Sequence, residues 1–197
     1  MLKKHGQLFL TLVTLFDTIV ISFSWLAAFY IHFKTSFGPP PRQGIPEIET
    51  YLFALIPVWI VFIFSIRICG LYQPLRGKPL STEFFKIFKV TAVSVIVLAA
   101  ITFFYREESF SRFVAVYFFG LVTILMVASH LLVRIVLAKV RKLGFNIRHV
   151  LIAGTGDLAQ LLAEKICLHS EYGFGIVGFL TGHPEKVNSE VSGIRIV

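Results

Sequence analysis

The chain has 197 residues, a formal net charge of +8, 56% hydrophobic residues and 21 phenylalanines, with a mean hydropathy of +0.79. Soluble domains rarely carry such an apolar load, whereas multi-span membrane proteins do. The basic residues flank apolar runs instead of forming one basic face, which argues against nucleic acid as a partner and fits cations retained on the cytosolic side of a membrane.

Met1 to Gln7 is a basic head with Lys3, Lys4 and His5. The first apolar span covers residues 8–31; it is too long for a cleaved signal peptide and lacks a small-residue cleavage site. One acid, Asp17, interrupts it. Lys34 to Thr50 holds Gly38 and Pro39-Pro40-Pro41, a stiff and non-helical loop. The second span covers residues 51–68, with Pro57 expected to bend it. A basic connection follows to Lys89, and its tail from Thr82 is amphipathic enough to lie on the membrane surface. The third span covers residues 86–105; its apolar part from Val90 is short unless Phe84, Phe85 and Phe88 extend it. After a polar turn with Glu107 and Glu108, the fourth span covers residues 113–138, enough to cross about 30 Å of hydrocarbon at about 1.5 Å per residue. Its end is basic, with Arg134, Lys139, Arg141 and Lys142, and Gly144 offers a helix stop.

Beyond Gly144 the pattern changes. Arg148 to Ala153 reads as a short buried strand emptying into Gly154-Thr155-Gly156. Asp157 is placed to start or cap an amphipathic helix over residues 157–173. Residues 174–182 read as a second strand, and residues 194–197 as a third. The expected fold is an all-α four-helix transmembrane bundle over residues 1–143, followed by the start of a cytosolic α/β Rossmann-like domain over residues 144–197. A doubly wound domain needs on the order of 100 residues, so the second part is expected to be incomplete. Lys and Arg concentrate in the head, in the second connection and after span four, which places both termini in the cytosol. Cys69 and Cys167 then lie on the reducing side, as free thiols.

Gly154, Gly156 and Ala159 match the dinucleotide fingerprint G-x-G-x-x-G/A in strand-turn-helix context. Against a working site, Asp157 puts a carboxylate where a phosphate would sit, and Phe179 to Gly182 lack the ribose-binding acid expected about 20 residues on. A turn kept for packing is the favoured reading. Asp17 lies roughly 14 Å into span one. His130 and Arg134, one turn apart on span four, reach similar depths from the same side. Because a lone charge in hydrocarbon is costly, Asp17 is expected to face the bundle and meet one of them. Helix registration is the favoured role of this Asp17, His130 and Arg134 cluster, with contact to a lipid phosphate as the alternative. No catalytic residue, metal site, P-loop or Ser/His/Asp set is found.

Several stretches together resemble the N-terminal half of the bacterial polyprenyl glycosylphosphotransferases: MLKKH with Asp17 in span one, GLYQPLRGKPLSTE after span two, SRFVAVYFF opening span four, and the run from Arg134 through KLGFNIRHVLIAGTGDLA to GFGIVGFL. The resemblance implies an enzyme of the bacterial inner membrane that moves a hexose-1-phosphate from a UDP-sugar to undecaprenyl phosphate, starting exopolysaccharide or O-antigen units. It further implies a separate catalytic domain with an acidic pair and Mg²⁺, absent from this chain. No cofactor is therefore expected here. The expected partners are membrane lipid, with polyprenyl phosphate and UDP-sugar reached through the missing domain; a homo-oligomer is left open. Where relatives often carry acids after the second strand, this chain has Thr181-Gly182-His183. A membrane-bound nucleotide-sugar 4,6-dehydratase and a non-enzymatic anchor or sensor are the alternative readings.

Overall fold

A computed structural model of the chain describes residues 2–35, 46–73, 79–104, 111–145, 147–169, 172–182, 185, 189–191 and 193–196. The triple-proline loop, Arg76, Lys78, Glu107, Glu108 and His183 lie outside the described residues. Five helices come first: α1 (Leu2–Lys34), α2 (Ile48–Phe53), α3 (Leu55–Ile68), α4 (Leu80–Phe104) and α5 (Arg112–Lys142). Then come β1 (Arg148–Ala153), α6 (Asp157–Leu168), β2 (Phe174–Leu180), β3 (Glu190–Val191) and β4 (Ile194–Arg195). Four helical stretches are long and apolar enough to cross a membrane: Leu10–Lys34, Ile48–Ile68, Leu80–Phe104 and Arg112–Arg141. They are consistent with a multi-pass membrane protein. The chain divides into two compact units, residues 1–130 and 131–197.

In the first unit each helix buries one stripe. On α1 the buried residues Asp17, Ile21, Ser24, Trp25, Ala28, Phe29 and His32 recur every three or four positions, the spacing of one helical face. Val114, Phe118, Val122 and Met126 do the same on α5, while Ile87, Val90, Thr91 and Ser94 do so on α4. Trp25, Tyr51, Phe62 and Phe118 form the aromatic centre, with Trp25 edge-on to Phe118 at 5.1 Å between ring centroids. The opposite faces are apolar too: Phe23, Ile60, Phe64, Ile96, Val116 and Ile124 are all largely exposed, which in water would be untenable and in a bilayer is the lipid-facing surface. Since lipid and core are equally apolar, polar links specify the packing. Trp25 Nε1 donates to the Tyr51 carbonyl at 2.9 Å, Trp59 Nε1 to Ser22 Oγ at 2.9 Å, and Thr123 Oγ1 to Thr91 Oγ1 at 3.0 Å.

The second and third spans start earlier than the sequence expectation. The second span starts at Ile48, not Tyr51, and breaks at Ala54. Pro57 has no N–H for the Phe53 carbonyl and its ring crowds that turn, so the helix opens at Ala54, three residues upstream of the proline. The third span starts at Leu80, not residue 86, and the stretch from Thr82 is not a separate surface helix. Continuity lets that stretch bury Ile87 and Val90 on the same stripe as Thr91 and Ser94.

The C-terminal ends of α3 and α5 are closed by glycine. After α3, Gly70 (φ 61°) and Leu71 donate to the carbonyls of Arg67 and Ile66 at 3.2 Å each. After α5, Gly144 (φ 89°) donates to Arg141 at 3.0 Å and Phe145 to Val140 at 3.2 Å. This is the Schellman pattern, which requires the left-handed conformation that glycine adopts freely.

The second unit holds a β-α-β arrangement. β1 and β2 pair in parallel, from Arg148 opposite Phe174 to Ala153 opposite Leu180, with a register irregularity after Val150. Such a pair needs a crossover, and α6 supplies it. Ile152, Ala159, Ala163, Phe179 and Ile196 form its small core. β1 was expected to be buried, yet only Ile152 is; Leu151 is 50% exposed. The helix covers one face of the sheet and successive strand residues alternate faces. α6 also ends earlier than the sequence reading, at Leu168, because His169 leaves helical geometry (φ −110°, ψ 58°). The third strand is only partly as expected. Ile194 and Arg195 fold back on Glu190 and Val191 as an antiparallel hairpin, while Ile196 bridges Phe179 in parallel.

Candidate functional site

Asp17 sits on the buried stripe of α1 and is 1% exposed. Its Oδ2 accepts from the Tyr72 hydroxyl at 2.8 Å and lies 3.2 Å from His130 Nε2 on α5. The other ring nitrogen, Nδ1, lies 3.0 Å from Glu83 Oε1 in the first turn of α4. Four segments thus meet at one imidazole and one carboxylate. A histidine has a donor at both ring nitrogens only as imidazolium, so a carboxylate at each nitrogen is the arrangement that suits the charged ring. Asp17 Oδ1 is buried with no hydrogen-bond partner. Tyr72 follows the Gly70 turn, outside the spans. Burial, then the neighbouring Asp17 carboxylate, pushes its phenol above the ordinary range, which keeps it a donor.

Of the two cations that the sequence offers Asp17, His130 is the one within reach in the first unit; Arg134, one turn on, belongs to the second. Glu83 and Tyr72 were missed. Glu83 was hidden by reading its segment as a surface helix, although it stands one turn before Ile87, in line with the buried stripe of α4. Tyr72 carried no signal, since nothing in the sequence tells which loop residue turns back onto a helix.

The glycine turn is built differently from a phosphate cradle. Gly154 (φ 101°) needs its glycine, and its N–H donates to the Leu180 carbonyl at 2.8 Å, closing β1 against β2. The N-cap of α6 is Gly156, not Asp157, and no side chain caps the end. Asp157 is instead the first helical residue and acts only through its charge beside the helix dipole. A Cβ at Gly156 would meet nothing within 4 Å, so packing does not demand that glycine. Ala159 is buried against the strand core. Among the described residues no group of three His, Cys, Asp or Glu is placed to hold a metal ion.

Residues 67–197, more than half of the chain, match the family described as the CoA-binding domain. The chain belongs to that family. Domains of the CoA-binding family occur in sugar-modifying and polyprenyl glycosylphosphotransferase-related proteins. The matched region begins at Arg67, so it includes Tyr72, Glu83 and His130 as well as the β-α-β unit. No curated protein matches this CoA-binding-family chain.

Breaking one side of a buried ion pair typically costs about 3–5 kcal/mol, more than neutralising the whole group. His130→Gln should therefore lower the thermal midpoint in nanodiscs sharply, and adding Asp17→Asn and Glu83→Gln should restore much of it. A triple variant at least as unstable as the sum of its parts would show that the three side chains do not act as a unit.

Proposed function

We propose that this chain is the membrane-anchoring N-terminal part of an enzyme that transfers a hexose-1-phosphate from a UDP-sugar to undecaprenyl phosphate in exopolysaccharide synthesis. The observation that carries the reading is the family match running from the end of span two into the β-α-β unit, joined to four membrane-length helices. The order of parts, spans first and α/β unit second, is the layout that the sequence resemblance implies. On this reading the β-α-β unit opens a Rossmann-like domain, supported by the parallel β1–β2 pair and the bridge of Ile196 to Phe179. The bundle anchors and orients; transfer chemistry with Mg²⁺ belongs to a further domain. Membranes containing the full gene product should convert labelled UDP-sugar into lipid-linked sugar, whereas the 197-residue chain should give none. Turnover by the chain alone, or none by the full product across the common UDP-hexoses, would overturn the assignment. A second glycine-rich strand-turn-helix downstream would favour the dehydratase instead.

Both termini face the cytosol of a bacterial inner membrane, on the placement of Lys and Arg at one end of the spans. Alkaline phosphatase fused after Val197 should be inactive, and fused between α1 and α2 active; the opposite pattern would invert the topology.

The Gly154–Ala159 turn serves as a packing corner, supported by its Gly154–Leu180 closure and by Asp157 at the helix start. Calorimetry with CoA, NAD and UDP-glucose on the complete protein should show no binding tighter than about 1 mM, roughly −4 kcal/mol. A micromolar constant abolished by Gly156→Val would refute it. That variant is a clean probe, since its side chain projects into open space.

A further inference from the structure

A groove of about 440 Å³ runs along the outside of the first unit, between α1 and α3, and ends at the turn after α3. Its volume falls in the range of ligand sites, about 300–1,000 Å³. The walls are apolar, from Leu10 on α1 and Ile63 and Ile66 on α3, and the end is polar, from Arg67, Tyr72 and Gln73. Leu10 and Ile63 are both substantially exposed on the lipid-facing side.

The charge at that end is what selects an occupant. Arg67 is exposed, and among the described residues its guanidinium has no ion pair or hydrogen bond. Asp17 and Glu83 both face His130. A helix C-terminus would ordinarily repel an anion, but here the carbonyls of Ser65, Ile66 and Arg67 are taken by the Cys69, Leu71 and Gly70 amides. The Gly70 carbonyl itself accepts from Lys86 Nζ at 2.7 Å, which brings a second cation to the same turn. The Gln73 amide folds over Gly70, where a Cβ would come within 2.9 Å of Nε2. An apolar channel thus ends at an unpaired guanidinium with a second cation behind it, the chemistry of a basic headgroup pocket at the membrane surface.

We propose that this groove binds an anionic phospholipid from the surrounding bilayer, its acyl chain along Leu10, Ile63 and Ile66 and its phosphate on Arg67. The test is native mass spectrometry of the purified chain released from micelles holding equimolar phosphatidylglycerol and phosphatidylcholine. The wild type should retain phosphatidylglycerol about fivefold over phosphatidylcholine, the preference expected of one basic residue near a charged surface. Arg67→Gln should level the two. Ile63→Trp, which fills the channel and leaves the charge, should lose both. Millimolar inorganic phosphate should leave the bound lipid in place, which separates a lipid site from a free-phosphate site. Equal retention by the wild type, an unchanged preference in Arg67→Gln, or displacement by phosphate would each overturn the proposal. The wild-type comparison decides even if a variant misfolds.

Discussion

A carboxylate cannot be left alone in hydrocarbon, and the first unit is arranged around that fact. On insertion scales a central Asp costs at least about 2.5 kcal/mol, and Asp17 stands on the buried face of α1. Its neutralisation draws in His130 from α5, the hydroxyl of Tyr72 from the turn after α3, and through the imidazole Glu83 from α4. Apolar packing alone could not choose these neighbours, because in a bilayer a leucine loses nothing by facing lipid instead of a helix. The polar group has one satisfactory address, and the helices must come to it.

The other polar links extend the same logic along the bundle. Trp59 to Ser22, Trp25 to the Tyr51 carbonyl, and Thr123 to Thr91 sit at different levels. A helix slipped by one turn, about 5.4 Å, would break these links together. The aromatic centre fills the space that these links define. The Ala54 break fits the same picture: the proline opens the helix, yet the carbonyl of Tyr51 just upstream accepts from Trp25.

Much of this was legible in the residues, and where it was not the reason is physical. Four membrane-length helices follow from apolar run length, and Gly144 and Gly154 follow from the need for positive φ. Asp17 declared itself as an acid in an apolar run. Glu83 did not, because a helix that starts at Leu80 looks like a polar connection until Ile87 and Val90 are seen to continue its stripe. Tyr72 depends on a long-range contact, and the one-sided cover of β1 depends on how many helices reach the sheet. Local patterns report faces and ends; they do not report which distant residue arrives.

That last point has a consequence for biosynthesis. Asp17 enters the membrane well ahead of the groups that satisfy it: Tyr72 follows 55 residues later and His130 113 residues later. At bacterial-scale elongation of about 5–20 residues per second, the acid waits roughly 6–23 seconds for its imidazole. In that interval the hydroxyl of Tyr72 is the earliest of its partners to be made. The ribosome thus makes the acid first and the imidazole that faces it last, after span two has already been tied to span one through Trp59 and Ser22.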